Sequence, residues 1–195
     1  MPTRLLRIAA VLCLPLLLGS CATLQEIASL RNVDFAIDNV SQANLAGVDV
    51  QNVRSYGDLS AGDAARLVGA LTRGEMPLSF TLHLGASNPE SNAVNARLVQ
   101  LDWTLLLDDT ETISGIFNDD RVIPAGASVD IPITMELDLV QFFGRNAQDL
   151  FELATAVAGH GSKEIALRAR PTVSTPIGPI AYPSEITILR RDVGQ

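Results

Sequence analysis

Leu78, Phe80, Leu82 and Leu84 alternate with Ser79, Thr81, His83 and Gly85, and the same period of two recurs along much of the chain. Val99, Leu101, Trp103, Leu105 and Leu107 alternate with Gln100, Asp102 and Thr104. Val129, Ile131, Ile133, Met135, Leu137 and Leu139 alternate with Asp130, Thr134, Glu136 and Asp138. Side chains two apart share one face of a strand, so each stretch predicts a strand with one buried and one wet face, the antiparallel pattern. Turn residues stand between them. Asp108-Asp109 predicts a tight hairpin into 112–117, and Pro124-Ala125-Gly126 a further turn. Pro132 has no N–H for a ladder and places its strand at a sheet edge or a bulge.

The flanking segments follow the same logic. Val33, Phe35 and Ile37 alternate, 39–44 reads as a turn, and Val48 and Val50 continue a strand with a bulge before Val53. Ile165, Leu167 and Ala169 start another strand, 176–179 is a turn, and 185–189 forms the last strand. Two islands break the period. Ser60 with Asp63 caps a helix whose apolar face is Ala64, Leu67, Val68 and Leu71, closed by Gly74. Asn146 caps a second, with Leu150, Leu153, Ala154 and Val157 as its stripe and Gly159 and Gly161 after it. The expected fold is mainly β, an antiparallel β-sandwich with two short helices.

The first 20 residues belong to another pattern. Arg4 and Arg7 precede an apolar run from Ile8 to Leu18, and Gly19 and Ser20 lead into Cys21. This is signal-peptide architecture, too short and wrongly flanked for a membrane-spanning helix. It resembles a bacterial lipoprotein signal, in which Cys21 is acylated and becomes the first residue; the alternatives are an ordinary secretory signal or a small buried cysteine. The expected organisation is signal 1–20, anchor and spacer 21–31, β-sandwich domain 32–190 and tail 191–195. Many such lipoproteins signal inner-membrane retention with Asp after the cysteine, and Ala22 stands there. In a two-membrane host this implies the outer membrane, with the domain facing the periplasm.

Charge and cysteine count narrow the function. The signal holds two of the 14 Lys+Arg and none of the 22 Asp+Glu, which leaves a mature net charge of −10. Such a surface repels phosphates, so neither nucleic acid nor anionic headgroups are expected partners, and membrane attachment falls to acyl chains. Cys13 would be discarded with the signal and Cys21 consumed by lipid, leaving no disulfide and no cysteine ligand. The fold then depends on its core, which the 47% apolar content can build.

From Ala86 onward the chain resembles a known family. The stretches "ASNPESNAVNARLVQLDWTLLLDDTETISG", "IPAGASVDIPITMEL" and "LRARPTVSTPIGPIAYPSEITI" resemble, in order, the water-stress and hypersensitive-response domain of the late embryogenesis abundant type 2 proteins. The likeness covers about residues 76–190. Asn88-Pro89 matches the family's Asn-Pro-Asn, with Glu90 in the third place, and Trp103 stands where Tyr is common. The resemblance implies a sandwich of the fibronectin type III or immunoglobulin-like kind and a part in tolerance of desiccation or other stress.

No constellation in the sequence announces chemistry. Asn88-Pro89 has turn residues that account for themselves, with a recognition loop as the alternative. His83 lies on a polar face and His160 between glycines, and no cysteine helps them to a metal site. Asp108, Asp109, Glu111, Asp119 and Asp120 lack a calcium-loop pattern and are expected as solvated turns. There is no Gly-x-Ser-x-Gly elbow, dinucleotide fingerprint or phosphate loop. The chain is expected to be non-enzymatic, without cofactor or metal: a lipid-anchored, stress-protective envelope protein. The competing class is a binding or adaptor module that recruits a protein partner or carries an apolar ligand on a sheet edge or the 146–158 helix face.

Overall fold

The structure is a computed structural model that describes residues 33–92, 94–175 and 178–189. The signal segment and Cys21 lie outside the described residues. Two antiparallel sheets form the molecule. The first orders its strands β2 (Val48–Asp49), β1 (Asp34–Leu45), β3 (Pro77–Ser87), β7 (Ser128–Asp138). The second orders β10 (Ile186–Leu189), β8 (Ile165–Thr175), β4 (Ala96–Leu107), β5 (Thr110–Phe117), with β6 (Arg121–Ile123) on β4 and β9 (Gly178–Ala181) on β8. Setting aside the short β2, β6 and β9, the first, second and fifth strands face the third, fourth, sixth and seventh. This is the sandwich order of the fibronectin type III kind.

Alternation does the packing. Leu78, Phe80, Leu82 and Leu84 of β3 are at most 1% exposed, and Ile131, Ile133, Met135 and Leu137 of β7 lie beside them. Leu101, Trp103, Leu105 and Leu107 of β4 belong to the same core. Pro132 sits on an edge strand, as its missing N–H requires. Asp108 and Asp109 have φ of 51° and 61° and join β4 to β5 in a two-residue turn, the primed geometry that suits strand twist. One parity differs from expectation. A register shift between Leu98 and Gln100 turns Leu98, not Val99, fully into the core.

The larger correction concerns 39–44, which is strand and not turn. β1 runs unbroken from Asp34 to Leu45, with irregularities between Ile37 and Asn39 and between Ser41 and Asn44. The two bulges shift parity so that Ile37, Val40, Ala43 and Leu45 are all buried. The chain reverses at Ala46-Gly47 instead, both at positive φ.

Among the described residues there are three short α-helices where two were expected, together with a 3-10 turn at Tyr56–Asp58. Ser60 caps α1 (Ala61–Arg73) by accepting from the Asp63 N–H, and Gly74 closes it at φ 83°. Its buried residues are Leu67 and Ala70, while Val68 is 54% exposed, so the apolar face is narrower than the spacing implied. The additional helix, α2 (Leu139–Phe143), begins at Leu139, which alternation had assigned to the preceding strand. Asp138 ends that strand by accepting from both Val140 N–H (3.1 Å) and Met76 N–H (2.8 Å). Asn146 caps α3 (Ala147–Val157), which buries Leu150, Phe151, Leu153, Ala154, Thr155, Ala156 and Val157.

These connections give the sandwich two unlike ends. The helices all lie on crossings at the end where β1 and β7 finish and β3 and β8 begin. The opposite end holds Asp34, Ser87, Ser128 and the Asn88-Pro89 loop.

Candidate functional site

Asn88 is 1% exposed and acts as a bracket between sheets. Its Nδ2 donates to the carbonyls of Val94 (3.2 Å) and Ile123 (2.9 Å), and its Oδ1 accepts from Asn92 Nδ2 at 2.5 Å. Its N–H donates to Ala127 O. Pro89 O accepts from the Asn92 N–H, closing a turn. Every polar atom of the Asn88 side chain is thus used to hold the loop, which accounts for the residue structurally. Trp103 is in the core cluster, its ring lying where a Cβ on Gly115 would fall, 2.4 Å from the nearest ring atom. Gly115 is therefore the small residue that the indole needs opposite it across the hairpin.

The acidic turns find cations. Asp108 pairs with Lys163 at 2.6 Å, Asp119 with Arg121 at 2.6 Å, Asp120 with Arg97 and Glu111 with Arg168. The Arg97 fork lowers the Asp120 carboxyl below its ordinary value, and Asp108 raises the Lys163 ammonium. Among the described residues no three of His, Cys, Asp and Glu gather as a metal site. His160 Nε2 is 2.8 Å from the Gln51 carbonyl, where it serves to fasten the loop after α3.

His83 is different. It lies on the outer face of the first sheet, as its strand parity requires, and it is bonded on both sides. Nδ1 is 2.8 Å from Asp130 Oδ2 on β7, and Nε2 is 2.9 Å from Ser41 Oγ on β1. An ionised carboxylate only accepts, so Nδ1 carries its proton towards Asp130, and in the neutral imidazole Nε2 then accepts from the Ser41 hydroxyl. The three side chains form a Ser–His–Asp row across three adjacent strands. The imidazole is 24% exposed and Asp130 54%, so the row lies open to water. Beside Asp130 in register is Gly85, and the Asp38 carboxylate occupies the space a Cβ there would need. None of this is visible as a motif, because Ser41 falls in the stretch that resembles a turn and the row exists only through strand register.

A shallow groove of about 540 Å³ crosses the outer face of the second sheet, lined by Asp102, Thr104, Ser114, Ile116, Arg168 and Glu185 among others. Arg168 spans it, paired with Glu111 on one side and Glu185 at 3.8 Å on the other.

No family model matches the chain, and no curated protein does. Among solved structures, a protein from Archaeoglobus fulgidus is 9% identical with a TM-score of 0.32, the alignment covering 59% of this chain and 86% of that one. The solution structure of a candidate late embryogenesis abundant protein is 13% identical with a TM-score of 0.35, covering 96% and 87%. What the chain does has to be drawn from its own residues.

Proposed function

We propose that the chain is a lipid-anchored, non-enzymatic envelope protein of the late embryogenesis abundant type 2 kind. It protects envelope components when water is lost. The observation that carries this is Cys21 at the end of Leu18-Gly19-Ser20-Cys21, upstream of the ordered family-like segments in 76–190. The architecture supports it. A sandwich that needs no disulfide, with an aliphatic interior and ion-paired acidic turns, keeps a hydrated surface without depending on thiol chemistry. Residues 21–32 can extend no further than about 40 Å, so a domain tethered through Cys21 stays close to the bilayer, facing the periplasm in a two-membrane host. The helices would then point away from the membrane and the Asn88 end towards it.

The adaptor alternative gains less support. α3 buries residues on nearly all sides, so its apolar stripe is core and not an open docking face. Two measurements test the proposal. Cys21→Ser should abolish incorporation of radiolabelled palmitate and move the protein from the membrane to the soluble fraction; continued detergent-only extraction would refute the anchor. A deletion strain should survive drying and rewetting less well than wild type, and equal survival would remove the protective role.

A further inference from the structure

We propose that Ser41 is an activated nucleophile, with His83 as its base and Asp130 as the residue that orients the imidazole, reactive towards small activated acyl and phosphonyl groups. This goes beyond envelope protection, which requires no bond making; it replaces the non-enzymatic part of that reading and leaves the anchor and the protective role to their own tests. Three observations carry it. The atoms stand in the order of a proton relay, Ser41 Oγ at 2.9 Å from Nε2 and Asp130 Oδ2 at 2.8 Å from Nδ1, so a neutral His83 with its proton on Nδ1 takes the Ser41 proton on Nε2. Thr81, the register partner of Ser41 on the same face, shows what incidental polar contact looks like there. Thr81 Oγ1 stands 3.4 Å from both Gln42 Oε1 and Thr134 Oγ1. Finally, the backbone leaves the ladder directly after the nucleophile. Gln42 adopts φ 57°, a left-handed conformation uncommon for a residue with a side chain, inside the bulge between Ser41 and Asn44. Bulges and such outliers re-aim side chains at functional sites.

The chemistry balances with the groups present. Ser41 Oγ bonds to the acyl carbon while its proton passes to His83 Nε2. The C–O bond to the leaving group breaks, and that oxygen takes the proton back from Nε2. Water then attacks the acyl-serine by the same route and releases a carboxylic acid. With a fluorophosphonate, the P–F bond breaks and fluoride leaves. Among the described residues the row lies open to water, so small aryl esters such as p-nitrophenyl acetate are the fitting class. An acyl oxyanion that lacks a positioned donor forfeits about 10²–10³-fold in rate, so covalent labelling is a better readout than turnover.

The test uses the full-length protein in mild detergent, incubated with a fluorophosphonate probe and read by intact mass and peptide mapping. One adduct on Ser41 is expected, absent from Ser41→Ala and from heat-denatured protein. His83→Ala should slow labelling by about 10²-fold or more, and added imidazole should restore it. Thr134→Val, on the same face, should label normally, and circular dichroism confirms that each variant folds. No adduct, an adduct elsewhere, or labelling of Ser41 that ignores the loss of His83 would overturn the proposal.

Discussion

Asn88 shows how much one polar side chain can hold when it is buried. It satisfies the carbonyls of Val94 and Ile123 and the amide of Asn92, three groups that water reaches poorly. Asn88→Ala removes that hydrogen bond from all three, and a buried polar group that loses a bond costs up to about 1–3 kcal/mol. We expect a loss on the order of 3 kcal/mol in urea unfolding, with the m-value unchanged; a loss below about 1 kcal/mol would mean that water replaces the amide. Asp120 tests the electrostatics at the same scale. The Arg97 fork lowers its folded pKa, so its contribution to stability is present above the unfolded value and disappears as pH falls through the folded one. Asp120 is exposed, so the effect on stability is small and the titration itself is the measurement. In Arg97→Gln the Asp120 carboxyl should titrate close to the ordinary 3.8, followed by carboxyl NMR.

The junction between β7 and α2 belongs to the element scale. Asp138 Oδ1 accepts two backbone N–H groups at once, from Val140 and Met76, and so ends a strand, starts a helix and ties β3 to both. Asp138→Ala should lower stability by about 1–2 kcal/mol, more than loss of the exposed α3 cap in Asn146→Ala, at about 1 kcal/mol. Equal losses would show that the Met76 bond contributes nothing. Elements with an uninterrupted period were legible in the sequence: β3, β7, β8 and α3 lie where spacing and caps put them. β1 was not. Its stretch from Asn39 to Asn44, with Asn39, Ser41, Gln42 and Asn44 polar, looks like a turn locally, and only pairing with β3 across two bulges makes it strand. α2 was missed because Leu139 fits the alternation of β7 until the Asp138 cap diverts the chain. The Ser41–His83–Asp130 row was illegible for the same reason as β1. His83 could be assigned to a polar face, but its neighbours are set by register between residues 42 and 47 positions apart.

At the scale of the whole molecule, the two ends of the sandwich and the position of Cys21 meet in one expectation. β1 and β3 hold 12 and 11 residues, so the sandwich is on the order of 35–40 Å long at about 3.3 Å per residue. That is comparable with the longest reach of residues 21–32, the spacer and the first domain residue, about 40 Å. In the proposed anchored form, a tether at the Asp34 end whose longest reach only matches the body's length brings the far end to the bilayer only when it is almost fully stretched. The Asn88 loop and the turn at Gly126 should therefore spend more time near the headgroups than Asp109 or Gly159. Cys13 and Cys21 are the two cysteines of the sequence, so in the proposed processed and acylated form single Cys labels can be placed freely. Spin labels at Glu90→Cys and Asp149→Cys, on the acylated protein in vesicles, should show faster relaxation by lipid-soluble oxygen for Glu90 than for Asp149. Equal values at the two positions would mean that the domain tumbles without preference. The reverse order would mean that the helical end faces the membrane and that α1 or α3 contacts lipid.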